Sequence, residues 1–161
     1  MTQAFTTPAT DRFFEDYSIG ATYDCGSVTL TETEIITFAT AFDPQAMHVD
    51  ATLAAAGPFG GIIASGWHTM GLTMRLVVAS YLPHNGLVAP GVDEVRWSRP
   101  VRPGDTLSVR VTVTDARLSR SRPDRGLVHS LVETLNQHGD VVMSFRPMNF
   151  VRARHPETVK P

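Results

Sequence analysis

The sequence has little cysteine: in 161 residues there is only Cys25. One thiol cannot close an internal disulfide, and no Cys or His pair stands at zinc-ligand spacing. No metal and no cofactor is therefore expected, and a lone thiol fits a reducing compartment, the cytoplasm. The opening MTQAFTTPATDRFFEDY has no basic start leading into an apolar run, so it does not read as a signal peptide. Long apolar runs are missing too. The longest, Gly66 to Leu82, is interrupted by Arg75 and is short for a bilayer, so no membrane partner is expected. Nor is there an excess of either charge, with 14 Lys and Arg against 16 Asp and Glu. A net charge of -2 gives no general attraction to nucleic acid or to an anionic surface. Internal repeats and low-complexity tracts are absent. What remains is an apolar fraction of 42%, enough for one soluble domain to bury a core.

The pattern of that apolar material assigns the elements. Residues 1–10 are small and polar and read as a loose arm, 11–155 as the domain, and 156–161 as a tail. A first strand is expected near Thr22 to Leu30. TETEIITFATAF begins with Thr31 and has Glu34 three positions later, a capping-box pattern ahead of Ile35, Ile36, Phe38 and Ala39 at helical spacing. Pro44 disfavours helix at Asp43 and sets a boundary there. Asp50 caps a short helix, ATLAAA, which Gly57 closes. In GWHTMGLTMRLVVASYL, Trp67, Met70, Met74, Val77 and Tyr81 recur at helical intervals, while Leu72, Leu76 and Ala79 make the other side apolar as well. Such a helix is expected to be buried all round, inside a curled sheet. The second half supplies strands: VDEVRWSRPV, then DTLSVRVTVTD with strict alternation, then GLVHSLVETL and DVVMSFRPMNFVRA joined by the turn NQHGD. Pro147 points to an edge or a bulge in the last of them. The expected class is α+β, an antiparallel sheet wrapped around a long central helix.

Two stretches carry candidate chemistry. In AFDPQAMHVD, Asp43 and His48 stand five positions apart across a proline. A carboxylate beside an imidazole can orient it or share proton transfer near neutral pH. The bland alternative is a turn-capping Asp43 and a satisfied core His48, and on this stretch alone it stands ahead. In FGGIIASGWHTMGL, glycines lead into the long helix, whose free N–H groups and partial positive charge suit an oxyanion. Gly66 would let a carbonyl oxygen approach one of those N–H groups closely. A glycine-rich turn packing helix on sheet explains the same stretch equally well. Ser65 lacks the glycine two positions earlier that a nucleophile elbow needs. Asp43, His48 and Asp50 make a poor metal set, with no second histidine at a known spacing.

FDPQAMHVD, FGGIIASGWHTMGL and GVDEVRWSRPVRPGDTLSVRVTV, in that order, resemble the MaoC-like acyl dehydratases, the (R)-specific enoyl-CoA hydratase group of the hotdog superfamily. The likeness spans roughly Ile19 to Arg152. DPQAMH keeps the Asp-to-His spacing of the family's hydratase motif, with Pro44 directly after the Asp and Gln45 where Asn usually stands. The resemblance implies a single hotdog domain that hydrates and dehydrates acyl thioesters reversibly. It makes Asp43 and His48 the catalytic pair that holds the water and the Gly66 N–H the donor to the thioester oxygen. Ser65, Trp67 and His68 become candidate substrate contacts, His68 as a pocket-lining or packing residue. Coenzyme A or acyl carrier protein enters only as part of the substrate. A supporting serine that some of these hydratases carry on the central helix falls at Met74 in our register. A homodimer, or a multiple of one, joined through the sheets is also implied, and with the resemblance the catalytic reading moves ahead of the bland one.

Arg120, Arg122 and Arg125, in ARLSRSRPDRG between two strands, read as a solvated hairpin or as a cationic rim for coenzyme A phosphates. The arginines of RPVRPGD carry the same two readings. Cys25 is expected to be structural. A hotdog acyl-CoA thioesterase and an acyl-thioester-binding subunit without catalysis remain the alternatives to a hydratase.

Overall fold

The computed structural model describes residues 3–84 and 86–156. After a single 3₁₀ turn at Phe14–Asp16 come β1 (Thr22–Thr29), α1 (Glu32–Phe42), α2 (Ala46–Val49), α3 (Ala51–Ala56) and α4 (Gly66–Ser80). Then follow β2 (Gly91–Trp97), β3 (Thr106–Leu118), β4 (Arg125–Leu135) and β5 (Val141–Arg152). The strands form one antiparallel sheet in the order β1-β3-β4-β5-β2, which leaves β1 and β2 as its edges.

Local chemistry explains the helix ends. Thr31 Oγ1 accepts the Glu34 N–H, and Glu34 returns a carboxylate oxygen to the Thr31 N–H at 2.8 Å. Asp50 Oδ1 accepts the N–H groups of both Thr52 and Leu53 at 2.9 Å, so its carboxylate is the cap of α3. The one-turn helix α2 was not expected.

Alternating residues of β3, Leu107, Val109, Val111 and Val113, form the floor of the core with Val128 and Val132 of β4. α4 lies across this floor against β1 and β3. Two expectations change here. α4 is not buried all round: Trp67 is 60% exposed, Met74 40% and Val78 49%. Its inward face is partly polar, because five strands curl around only one side of a helix and that side carries Thr69 and Thr73. Thr73 Oγ1 meets Thr134 Oγ1 of β4 at 2.8 Å, and Tyr81 Oη meets Ser130 Oγ at 2.8 Å, so these buried hydroxyls are paired. Pro147, second, lies in the interior strand β5 opposite Val92. The irregularity it calls for is in its neighbour β2, between Asp93 and Arg96, with Glu94 at φ 53°.

Of the segment read as a loose arm, Met1 and Thr2 lie outside the described residues. Phe5 stacks on Tyr23 with ring centroids 3.9 Å apart, and the Arg12 guanidinium lies 3.6 Å over the Phe5 ring. That guanidinium also donates to the Ser80 and Tyr81 carbonyls, capping the C-terminal end of α4. The tail expected at 156–161 lies outside the described residues except for Pro156. Cys25 is buried in β1, and burial pushes its thiol up to about 12, which leaves it inert at neutral pH.

Candidate active site

The chain doubles back at the end of α1. Pro44 stops the helix, and Asp43 becomes its C-cap, its N–H still bonded to the Ala39 carbonyl. The Gln45 N–H bonds to the Asp43 carbonyl and the His48 N–H to the Gln45 carbonyl, each at 2.8 Å. This tight turn and the single turn of α2 bring His48 back beside Asp43. His48 Nε2 lies 3.5 Å from Asp43 Oδ2.

The remaining contacts fix both groups. His48 is buried, and its Nδ1 lies 2.8 Å from the Ile63 carbonyl oxygen. A carbonyl only accepts, so Nδ1 carries a proton, and in the neutral form of the ring Nε2 would be an acceptor facing Asp43. Asp43 accepts Gln45 Nε2–H at Oδ1, 2.8 Å, and the Ser65 hydroxyl at Oδ2, 2.7 Å. Ser65 Oγ also accepts the Trp67 N–H and so caps α4. These bonds, Ser65 first and Gln45 second, hold the Asp43 carboxyl below its ordinary value against the opposing cost of burial, with a further pull from His48 whenever its ring is charged.

That ordering gives a pH prediction. If turnover needs ionised Asp43, the part of the acid limb of kcat/KM that belongs to Asp43 appears only as pH drops through this depressed value. Ser65→Ala removes the first cause, raises the Asp43 pKa and moves the acid limb to higher pH. A pH profile of both proteins measures it, and an unmoved limb would separate Ser65 from Asp43 ionisation.

Gly66, the first residue of α4, stands next to this pair. The helix cap occupies the Trp67 N–H, and the Thr69 N–H returns to the Ser65 carbonyl; the Gly66 N–H takes part in neither. Trp97 of β2 donates its indole N–H to the Gly66 carbonyl at 2.9 Å. A Cβ on Gly66 would meet Trp97 Nε1 and Cε2 at 2.6 Å. The glycine therefore makes room for an indole ring, where the sequence suggested room for a ligand oxygen.

Asp43, His48, Gly66, Trp67, Trp97 and Arg99 all line one cavity of about 390 Å³. Of the expected contacts, Trp67 lines it and Ser65 acts through Asp43. His68 is not in the wall. Its ring stacks on Phe38 of α1 at 4.6 Å, and burial holds its pKa below the ordinary value. Met74 is 40% exposed on α4 and gives the pair no polar support; the serine that bonds Asp43 is Ser65.

Arg120 and Arg122 lie in the β3–β4 hairpin, and Arg125 begins β4 paired to Asp124 at 2.7 Å. The cavity residue Val142 is at the other end of that strand pair, where Leu135 faces Val141 while Arg125 faces Arg152. Ten residues of strand separate the two ends, roughly 33 Å. These arginines are therefore remote from the cavity of their own chain, and the one that lines it is Arg99. Sequence reasoning missed Gln45 and Trp97 as site residues. The only signal for Gln45 was its place inside the motif; Trp97 read as one more apolar strand position.

A family model described as MaoC like domain matches residues 15–135. The chain belongs to this family. The crystal structure of a MaoC-like dehydratase from Rhodospirillum rubrum superposes with a TM-score of 0.84 at 42% identity, covering 89% of this chain and 98% of that one. The 3-hydroxyacyl-thioester dehydratase Z of Mycobacterium tuberculosis is 37% identical over 110 residues, 66% of this chain and 70% of its own length. The uncharacterised YdeM of Bacillus subtilis is 32% identical over 124 residues, 76% of this chain and 86% of its own. The sheet curled along one long helix is the hotdog arrangement, and the α+β expectation holds. Among the described residues, no helix is long and apolar enough to cross a membrane.

Proposed function

We propose that the cavity binds an α,β-unsaturated acyl thioester, carried on coenzyme A or acyl carrier protein, and adds water reversibly to give the (R)-3-hydroxyacyl thioester. The observation that carries this reading is the meeting of His48 Nε2 and Asp43 Oδ2, both acceptors when the ring is neutral, 3.5 Å apart beside a helix N-terminus. Two acceptors at that separation repel unless a proton or a water lies between them. One water gives one hydrogen to each and presents its oxygen to the substrate.

The chemistry then balances. The water oxygen bonds to C3, the C2=C3 π pair shifts toward the thioester carbonyl, and His48 Nε2 takes a water proton. The Gly66 N–H and the α4 dipole stabilise the negative oxygen. As the enolate collapses, C2 takes a proton on the same face from the imidazolium. Asp43, held ionised by Ser65 and Gln45, keeps its charge and orients the water and the ring. Dehydration runs these steps backwards.

The test follows the enoyl absorbance and free thiol together, with trans-2-enoyl-CoA substrates of four and eight carbons. Absorbance lost without thiol supports hydration, and chiral chromatography of the product must then give the R hydroxyacid. Thiol release makes the protein a thioesterase; binding with neither change makes it a non-catalytic acyl-binding subunit.

We also infer a homodimer. β2 is a free sheet edge with Val92 and Trp97 half exposed, next to the exposed Trp67, Met74 and Val78 of α4. A second copy pairing at β2 would cover both features. Light scattering at micromolar concentration is expected to give twice the chain mass of 17.6 kDa, or a multiple of that; a fully active monomer would contradict it. The single buried thiol supports a cytoplasmic location.

A further inference from the structure

His68 is a buried imidazole that the reaction does not use. It is the third residue of α4 and only 8% exposed. Its ring lies flat on Phe38 of α1, centroids 4.6 Å apart and planes 6° off parallel. Its Nδ1 is buried and meets no hydrogen-bond partner among the described residues. The same two helices each carry one side of the catalytic arrangement. Asp43 caps the end of α1, five positions after Phe38, and Ser65 caps the start of α4, three positions before His68. The Ser65 hydroxyl donates to Asp43 across this junction at 2.7 Å. Phe42, in the last turn of α1, is 74% exposed. That turn is therefore held to α4 by the stack before it and the bond after it.

We propose that His68 is a positioning residue: its neutral ring seats the end of α1 on α4, and its protonation opens that junction and loosens Asp43 from Ser65. The inference rests on the hydratase reading above and adds a proton-driven control to that site. A second proton on the ring brings a donor and a charge into a space that provides for neither. Nδ1 has no acceptor, and the positive end of the α4 dipole lies within one turn. The charged groups bearing on the ring are Glu34 of α1, which attracts the cation, and Arg75 of α4, which repels it. Glu34 Oε2 is already committed to the N–H and the hydroxyl of Thr31 in the capping box. The face of Phe38 also favours a cation. The strands packed against α4 add no charge. β1 and β3 turn apolar residues such as Tyr23, Val109 and Val111 inward, and Asp24 and Arg110 alternate onto the other face. Asp115 and Arg117 of β3 pair with each other at 4.0 Å. Burial outweighs the attractive groups and holds the imidazole below its ordinary value of 6.5. An opened junction wets the ring and returns it to the ordinary value, so the open form binds the proton more readily. The closed junction is fully favoured above 6.5 and loses ground as pH falls from there toward the depressed value.

The experiment compares the parent with His68→Phe, which keeps the stack and cannot be protonated. His68→Asn, uncharged but unable to stack, is a second variant in case the first folds poorly. Hydration of a trans-2-enoyl-CoA, the thermal midpoint and hydrogen exchange of the Asp43 amide are followed from about pH 7.5 to about pH 5. At the upper end His68→Phe is expected within about threefold of the parent in kcat/KM. Titration of Asp43 and His48 is common to the proteins and cancels in the ratio of variant to parent. That ratio is expected to rise at least about threefold by the acid end, within the limit of about tenfold per pH unit for one proton. Over the same range the parent's thermal midpoint is expected to fall more steeply than that of either variant, and its Asp43 amide to exchange faster at the acid end. A flat ratio in an active enzyme would overturn the coupling to Asp43, even if the midpoints diverge. Midpoints and amide exchange that run parallel in all three proteins would overturn the titration itself. If no protein hydrates the substrate at any pH, the hydratase reading fails. Faster Asp43 exchange in the parent alone would then still support the junction.

Discussion

Asp43→Asn and His48→Gln are each expected to lower turnover of an enoyl thioester by about 10²- to 10⁴-fold, the range for a positioned acid–base group. The mechanism requires two acceptors on one water. Asp43→Asn removes the negative charge and puts an amide N–H on one of the two sites where Asp43 now accepts from Ser65 and Gln45. His48→Gln removes the group that moves the proton, while its longer amide can still donate to the Ile63 carbonyl. The effect on folding should be small by comparison. Asp43 is partly exposed at a helix end, and losing the His48 hydrogen bond costs about 1 kcal/mol. Thermal midpoints and turnover on the same preparations check this. Near-parent turnover in both variants, on a substrate the parent handles well, would remove the pair from the mechanism.

Much of this site was legible in the sequence because it is built from local chemistry. The capping box at Thr31 and Glu34, the stop at Pro44 and the cap at Asp50 depend on neighbours within a few positions, and they fix where Asp43 and His48 fall. The alternation of β3 likewise reports its own burial. What was not legible depends on contacts distant in the chain. Ser65 meets Asp43 across 22 positions and Trp97 meets Gly66 across 31, and no periodicity carries those meetings. The apolar faces of α4 show the same limit differently. A greasy face reads as core in sequence, yet Trp67, Met74 and Val78 stay exposed, and only the extent of the curled sheet decides. The hairpin arginines stand in a charge cluster that looks phosphate-binding, but the length of β3 and β4 carries them to the far end of the sheet.

Gly66→Ala is expected to reduce turnover by at least tenfold and Gly66→Val by on the order of a hundredfold or more, with little change in thermal midpoint. The added Cβ would lie 2.6 Å from the Trp97 ring, so one of the two must move. Trp97 is 45% exposed on an edge strand and yields more easily than the helix backbone. Its displacement breaks the indole N–H bond to the Gly66 carbonyl and removes a wall of the catalytic cavity. The helix itself gains, since replacing glycine in a first turn favours helix by up to about 1 kcal/mol. That gain offsets part of the packing lost at Trp97. A double-mutant cycle separates room for the ring from placement of the N–H. If the glycine serves only to admit Trp97, Gly66→Ala adds nothing to a Trp97→Ala background. If the Gly66 N–H faces the thioester oxygen and needs a clear approach, Gly66→Ala still lowers turnover in that background. A Gly66→Val protein that is destabilised yet fully active per folded molecule would reject the oxyanion assignment.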